Sequence, residues 1–188
     1  MCGPLRTSPT TEDLIVSHDA TPAPTRIYNV LFLCTGNSAR SIIAEALVNH
    51  LGHGRFRGYS AGSFPSGRVH PLALEVIAPL STSAGAPRSK RWDEFAGPGA
   101  PLMDFIFTVC DNAAGEVCPQ WPGHPMTAHW GIVDPASARG SDDEQRRAFE
   151  LAMLQLKRRI ELFLCLPLDS IESLALQHQL NDIGTSTP

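Results

Sequence analysis

The chain has 188 residues, of which 43% are hydrophobic and 18% charged. That is enough for one globular domain with a single buried core, and too apolar for a disordered chain. With 15 Lys+Arg against 19 Asp+Glu, a net charge of -4, and no apolar run of membrane-spanning length, neither a nucleic-acid partner nor a membrane is expected.

Residues 1–27 carry four Pro and five Thr, and their one apolar run is Leu14-Ile15-Val16. They lack the basic and apolar regions of a secretory signal, so a disordered leader is expected, with the compact fold starting near Ile27. Tyr28 to Cys34 is a continuous apolar run ending at Thr35-Gly36-Asn37, the pattern of a buried strand entering a turn. Ser38 to Leu51 has helical spacing and stops at Gly52. Phe56 to Ala61 is a second strand, closed by Gly62. His70 to Leu80 is a shorter helix opening beside Pro71.

Residues 81–103 read as loop, with Arg88, Lys90 and Arg91 as a solvated basic stretch. Asp104 to Cys110 is the clearest later strand, and Met126 to Ile132 another, ahead of Asp134-Pro135. Ser141 to Leu164 is the longest helix, with Phe149, Met153, Leu156, Ile160 and Phe163 on one face. That face also takes Cys165, expected in the core. A final helix is predicted over Asp169 to Asn181, with Gly184 beyond its end. Strands alternating with helices imply an α/β fold, a parallel sheet flanked by helices on both faces, with ligands at the carboxyl ends of strands. Both strong strands end in a cysteine.

Cys34-Thr35-Gly36-Asn37-Ser38-Ala39-Arg40-Ser41 is a Cys-x5-Arg-Ser loop between a strand and a helix. The tight turn and helix start would aim several N–H groups at one point, and Arg40 adds a planar fork that fits a tetrahedral oxyanion. The same field would favour a thiolate on Cys34. Asn37, Ser38 and Ser41 are placed to hold the loop, with Ser38 a candidate donor to the Cys34 sulfur.

The loop with its flanking strand and helix resembles the low-molecular-weight protein tyrosine phosphatase fold, and more closely the arsenate reductases built on it. The similarity runs from residue 28 to about 165, leaving residues 166–188 as a C-terminal helical extension and tail. It implies oxyanion binding by Thr35, Gly36, Asn37, Ser38, Ala39, Arg40 and Ser41, with arsenate as substrate and phosphate as competing anion. Asp134, before Pro135, would be the general acid that protonates the oxygen leaving arsenic. Ala136-Ser137-Ala138 follows it, where phosphatases of this fold carry aromatic residues, which favours a small inorganic oxyanion. A weak potassium site at Asn37, Glu45 and Ser60 is also implied; no other metal is expected.

Cys110 and Cys118, eight positions apart, fit neither a Cys-x-x-Cys redox pair nor a zinc knuckle. Two unrelated buried thiols would satisfy the same pattern. The resemblance to thioredoxin-coupled arsenate reductases implies a relay in which Cys110 attacks the Cys34–arsenic adduct and Cys118 then resolves the bridge. Residues 113–117 would rearrange on oxidation to let the bridge form. The reductant would be external, thioredoxin or else glutathione/glutaredoxin, with no tightly bound cofactor. Five cysteines without a disulfide-type spacing suit a reducing cytoplasm. A phosphatase on the same fold and a non-enzymatic thiol protein that binds arsenite or senses redox state are the alternatives.

Overall fold

Strand β1 (Tyr28–Cys34) is buried on both faces, which is why its sequence is apolar without alternation. It pairs in parallel with β2 (Phe56–Gly62) on one side and β3 (Phe105–Thr108) on the other, and β4 (Met126–His129) completes the order β2-β1-β3-β4. The structure, a computed structural model, describes residues 26–80, 85–110 and 119–186. The expected leader, apart from Arg26 and Ile27, and the 113–117 rearrangement lie outside the described residues, as does Cys118.

Alternate residues of β1 serve two cores. Val30, Phe32 and Cys34 face the side covered by α1 (Arg40–Leu51) and α3 (Asp142–Leu164), with Phe107, Trp130 and Phe163 among the buried rings there. Leu31 and Leu33 face Ala61, Ile106, Met103 and Phe95, the last supplied by a 3-10 turn, Trp92–Phe95, within the predicted loop. The short helix α2 (Pro71–Ile77) starts at His70, whose ring accepts a hydrogen bond from the Leu72 amide and stacks on Phe149. Ser141 caps α3 in a reciprocal box with Glu144, so the helix begins one residue after the predicted start.

The last helix, α4 (Ser173–Thr185), differs from expectation at both ends. Asp169 precedes it, and Gly184 lies inside it. Gly184 is there for proximity: a Cβ would strike the His129 carbonyl and the Trp130 ring. Helix α4 packs against β4, and Gln177 donates to the Thr127 carbonyl at 2.8 Å. Trp130 Nε1 donates to the Leu180 carbonyl at 2.9 Å. The outer edge of the sheet is thereby covered. Cys165 caps α3 and is exposed, contrary to its expected place in the core, because the helix ends before its apolar face reaches that residue. Among the described residues, no helix is long and apolar enough to cross a membrane.

Candidate active site

Three neighbouring strands bring three of the candidate side chains to their carboxyl ends. Cys34 ends β1, Cys110 lies just past β3, and Asp134 follows β4. This is the position at which parallel sheets bind ligands.

The loop after Cys34 closes through Asn37, which takes a left-handed conformation with φ of 40°. Such a conformation costs a non-glycine residue roughly 1–3 kcal/mol and needs support from its surroundings. Asn37 has that support on every side: its Nδ2 donates to Ser41 Oγ at 2.8 Å and Ser60 Oγ at 3.0 Å, and its Oδ1 accepts from the Lys90 amide at 2.6 Å. The reward is its own amide, which points at the Cys34 sulfur from 3.2 Å. Gly62, the partner of Cys34 across β1 and β2, gives the loop room; a side chain there would meet the Thr35 carbonyl and the Asn37 amide.

Cys34 is almost wholly buried, and burial pushes its thiol above the ordinary cysteine value. Hydrogen bonds from Ser41 and Asn37 oppose this, while nearby Cys110 adds to it. The expected downward shift is therefore reversed by desolvation. The hydroxyl at the sulfur is that of Ser41, at 3.0 Å. Cys110 is buried too, and Thr35 Oγ1 lies 3.7 Å from its sulfur.

Arg40, the first residue of α1, is turned toward the acid segment. Its Nη1 donates to the Ile132 carbonyl at 3.2 Å and its Nη2 pairs with Asp134 Oδ2 at 3.1 Å. Asp134 also caps the 3-10 turn Pro135–Ser137, its Oδ1 accepting from the Ala136 amide at 3.1 Å. The turn cap and the ion pair with Arg40 thus use different oxygens of one carboxylate. A depression of about 180 Å³ between this turn and α3 is lined by Asp134, Pro135, Leu151 and Gln155.

A model of the low molecular weight phosphotyrosine protein phosphatase family matches residues 29–178. The chain belongs to that family. Within it, an arsenate reductase of Halalkalibacterium halodurans is 34% identical over 134 residues, covering 71% of this chain and 93% of the relative. The solved arsenate reductase of Archaeoglobus fulgidus is similar at 27% identity with a TM-score of 0.51, over 70% of this chain and 98% of that one. A Vibrio cholerae low-molecular-weight phosphotyrosine phosphatase shares the fold with a TM-score of 0.52 at 19% identity, over 69% and 90% of the two chains.

The Cys-x5-Arg loop stands out in the sequence; what underlies it is less visible. Asn37, Ser60 and Glu45 form a hydrogen-bonded chain beneath the loop. Glu45 Oε2 accepts from Ser60 Oγ and from Lys90 Nζ, the latter at 3.0 Å. Lys90 was expected in solvent but is buried, and its ammonium also donates to the Arg88 carbonyl at 3.1 Å. The oxygen cluster beneath the loop thus has a cation supplied by the chain. Sequence reading missed Lys90 because its burial depends on a bridge between Arg91 and Gly62, which no local pattern announces. It missed Arg159 on α3 as well, whose Nη1 reaches the carbonyls of Trp130 and Gly131.

Proposed function

We propose that this protein reduces arsenate to arsenite through a relay of three thiols. The observation that carries the reading is the second buried thiol, Cys110, placed beside Cys34 at the ends of adjacent strands. Hydrolysis of a phosphate ester by the same loop needs a single cysteine, whereas reduction needs another sulfur close to the first. Relatives that bear the name arsenate reductase support the assignment.

In the proposed sequence, the amides of Thr35 to Ser41 and the Arg40 guanidinium hold the arsenate oxygens. The Cys34 thiolate, held by the Ser41 hydroxyl and the Asn37 amide, attacks arsenic while Asp134 protonates the departing oxygen, which leaves as water. The Cys110 thiolate then attacks the Cys34 sulfur. The sulfur–arsenic bond breaks with its electron pair going to arsenic, so that As(V) becomes As(III) and a Cys34–Cys110 disulfide forms. Cys118 attacks Cys110, restoring the Cys34 thiolate and leaving a Cys110–Cys118 disulfide. An external thiol reductant, thioredoxin or glutathione/glutaredoxin, supplies the two electrons that reduce it and is itself oxidised to a disulfide.

The test is arsenate-dependent oxidation of NADPH coupled through thioredoxin and its reductase, or through glutathione and glutaredoxin. Wild type should turn over with one of the two systems. Cys110→Ser and Cys118→Ser should abolish that turnover while any hydrolysis of p-nitrophenyl phosphate persists. Efficient phosphate-ester hydrolysis with no arsenate turnover in either system would instead make the protein a phosphatase.

A further inference from the structure

The segment that carries Asp134 is gripped by arginines from two helices. β4 ends at His129, so the carbonyls of residues 130–132 fall outside its pairing with β3. Polar groups at such a place need donors from elsewhere. Arg159, on α3, donates from Nη1 to the Trp130 carbonyl at 2.7 Å and to the Gly131 carbonyl at 3.1 Å. Arg40 takes the next carbonyl, that of Ile132, and the Asp134 carboxylate. From Trp130 to Asp134 the chain is therefore tied to two guanidiniums, one at each end.

Arg159 is partly buried, and that burial opposes its charged form. A hydrocarbon side chain would fill the space without the desolvation penalty. It would take the Arg159 donor from the Trp130 and Gly131 carbonyls, and these lie four and three residues before the acid. The opposite side of the same stretch is fixed by the Trp130 amide, which donates to the Thr108 carbonyl at 2.7 Å, and by the indole bond to Leu180. Among the described residues, Arg159 thus holds the first two carbonyls of this stretch, as Arg40 holds the third, on a side that neither the sheet nor α4 holds.

We propose that Arg159 is a positioning residue for proton donation: by fixing the Trp130 and Gly131 carbonyls it sets where the chain presents Asp134 beside Arg40 and the Cys34 loop. The inference rests on Asp134 acting as the acid. Arg159 touches neither the loop nor Cys34 in any of these contacts, so its effect should fall on the proton-transfer step and spare anion binding. A displacement of about 1 Å at a reacting group is enough to lower a rate on the order of 100-fold.

The experiment compares Arg159→Met, Arg159→Lys, Asp134→Asn and the Arg159→Met/Asp134→Asn pair. The readouts are arsenate turnover, competitive inhibition by inorganic phosphate, and hydrolysis of two aryl phosphates. Arg159→Met should slow arsenate turnover by about 10- to 100-fold, within the range that general acid catalysis contributes. The phosphate inhibition constant should change by less than about twofold, because the loop keeps its anion contacts. Phenyl phosphate, whose leaving oxygen needs a proton, should suffer as arsenate does. p-Nitrophenyl phosphate, a good leaving group, should be spared.

Arg159→Lys, which still donates to a carbonyl, should recover part of the loss. The double variant should be no slower than Asp134→Asn alone. Losses that multiply in the double variant, or that fall equally on phosphate binding and both aryl esters, would overturn the proposal and make Arg159 a folding residue. If Arg159→Met does not fold, Arg159→Lys paired with Asp134→Asn separates the same two outcomes. A wild type active on phenyl phosphate but not on arsenate would overturn the reductase reading alone, since the aryl-ester comparison still decides on Arg159. An unchanged Asp134→Asn rate would overturn the acid reading, and the Arg159 proposal with it.

Discussion

Arg40 Nη2 lies 3.1 Å from Asp134 Oδ2, so the guanidinium proposed to read the oxyanion is also the partner of the proposed proton donor. The arginine is largely covered and the aspartate well exposed, at 14% and 41% of their side-chain surfaces. One residue thereby links recognition at the loop to chemistry at the acid.

Arg40→Ala should lower kcat/KM for arsenate by at least about 100-fold, the scale of losing a preorganised donor to the reacting anion. Arg40→Lys should recover little of this, because an ammonium cannot present the paired donors of a guanidinium. Steady-state kinetics with phosphate as competitor would check both statements, and phosphate inhibition should weaken in parallel.

Burial raises the Cys34 thiol and the Ser41 hydroxyl is the largest influence pulling it back. Ser41→Ala should therefore move the titration to still higher pH. The initial rate of iodoacetamide labelling at Cys34, followed by mass spectrometry of the loop peptide against pH, would show the shift. The sign for stability follows from the same fact. A thiol whose titration is raised in the folded state contributes stability that is full below the ordinary thiol value and lost as pH rises through the folded one.

The Lys90–Glu45 pair spans 3.0 Å with side-chain exposures of only 7% and 19%. Lys90→Met should destabilise the protein by about 3 kcal/mol, because it leaves a carboxylate buried without its partner. Lys90→Met combined with Glu45→Gln should be milder than the single change. Urea titration of the three variants measures this, and the double-mutant coupling isolates the pair.

Gly184→Ala should push α4 away from β4, since the added methyl meets the His129 carbonyl. A loss on the order of 1–3 kcal/mol is expected from such overpacking. Trp130 fluorescence together with thermal melting would report it.

The site was legible where one stretch of sequence carries all its meaning. The apolar run of β1, the turn at Gly36 and the helix beginning at Arg40 adjoin one another, so the loop could be read directly. Asp134 stood out as Asp-Pro after a strand, and the fold brings it against Arg40 of the loop. What escaped depends on contacts far apart in the chain. Lys90 is drawn in by the Arg91–Gly62 bridge and by Glu45 on α1, and Gly184 is constrained by His129 and Trp130, more than fifty positions earlier. Cys165 shows the converse failure: helical spacing extends a face past the point where the helix stops. The upward shift of Cys34 was missed because a motif reveals the donors around a sulfur but not how completely the fold excludes water from it.

The indole bond from Trp130 to the Leu180 carbonyl closes a span of fifty residues, and α4 completes the edge of the sheet just before the acid. During synthesis β1 and the Cys34 loop emerge long before α4. Domains are made from the N-terminus onward. A nascent chain that still lacks α4 therefore leaves uncovered the sheet edge beside the stretch that leads to Asp134, and that end of the molecule is completed last.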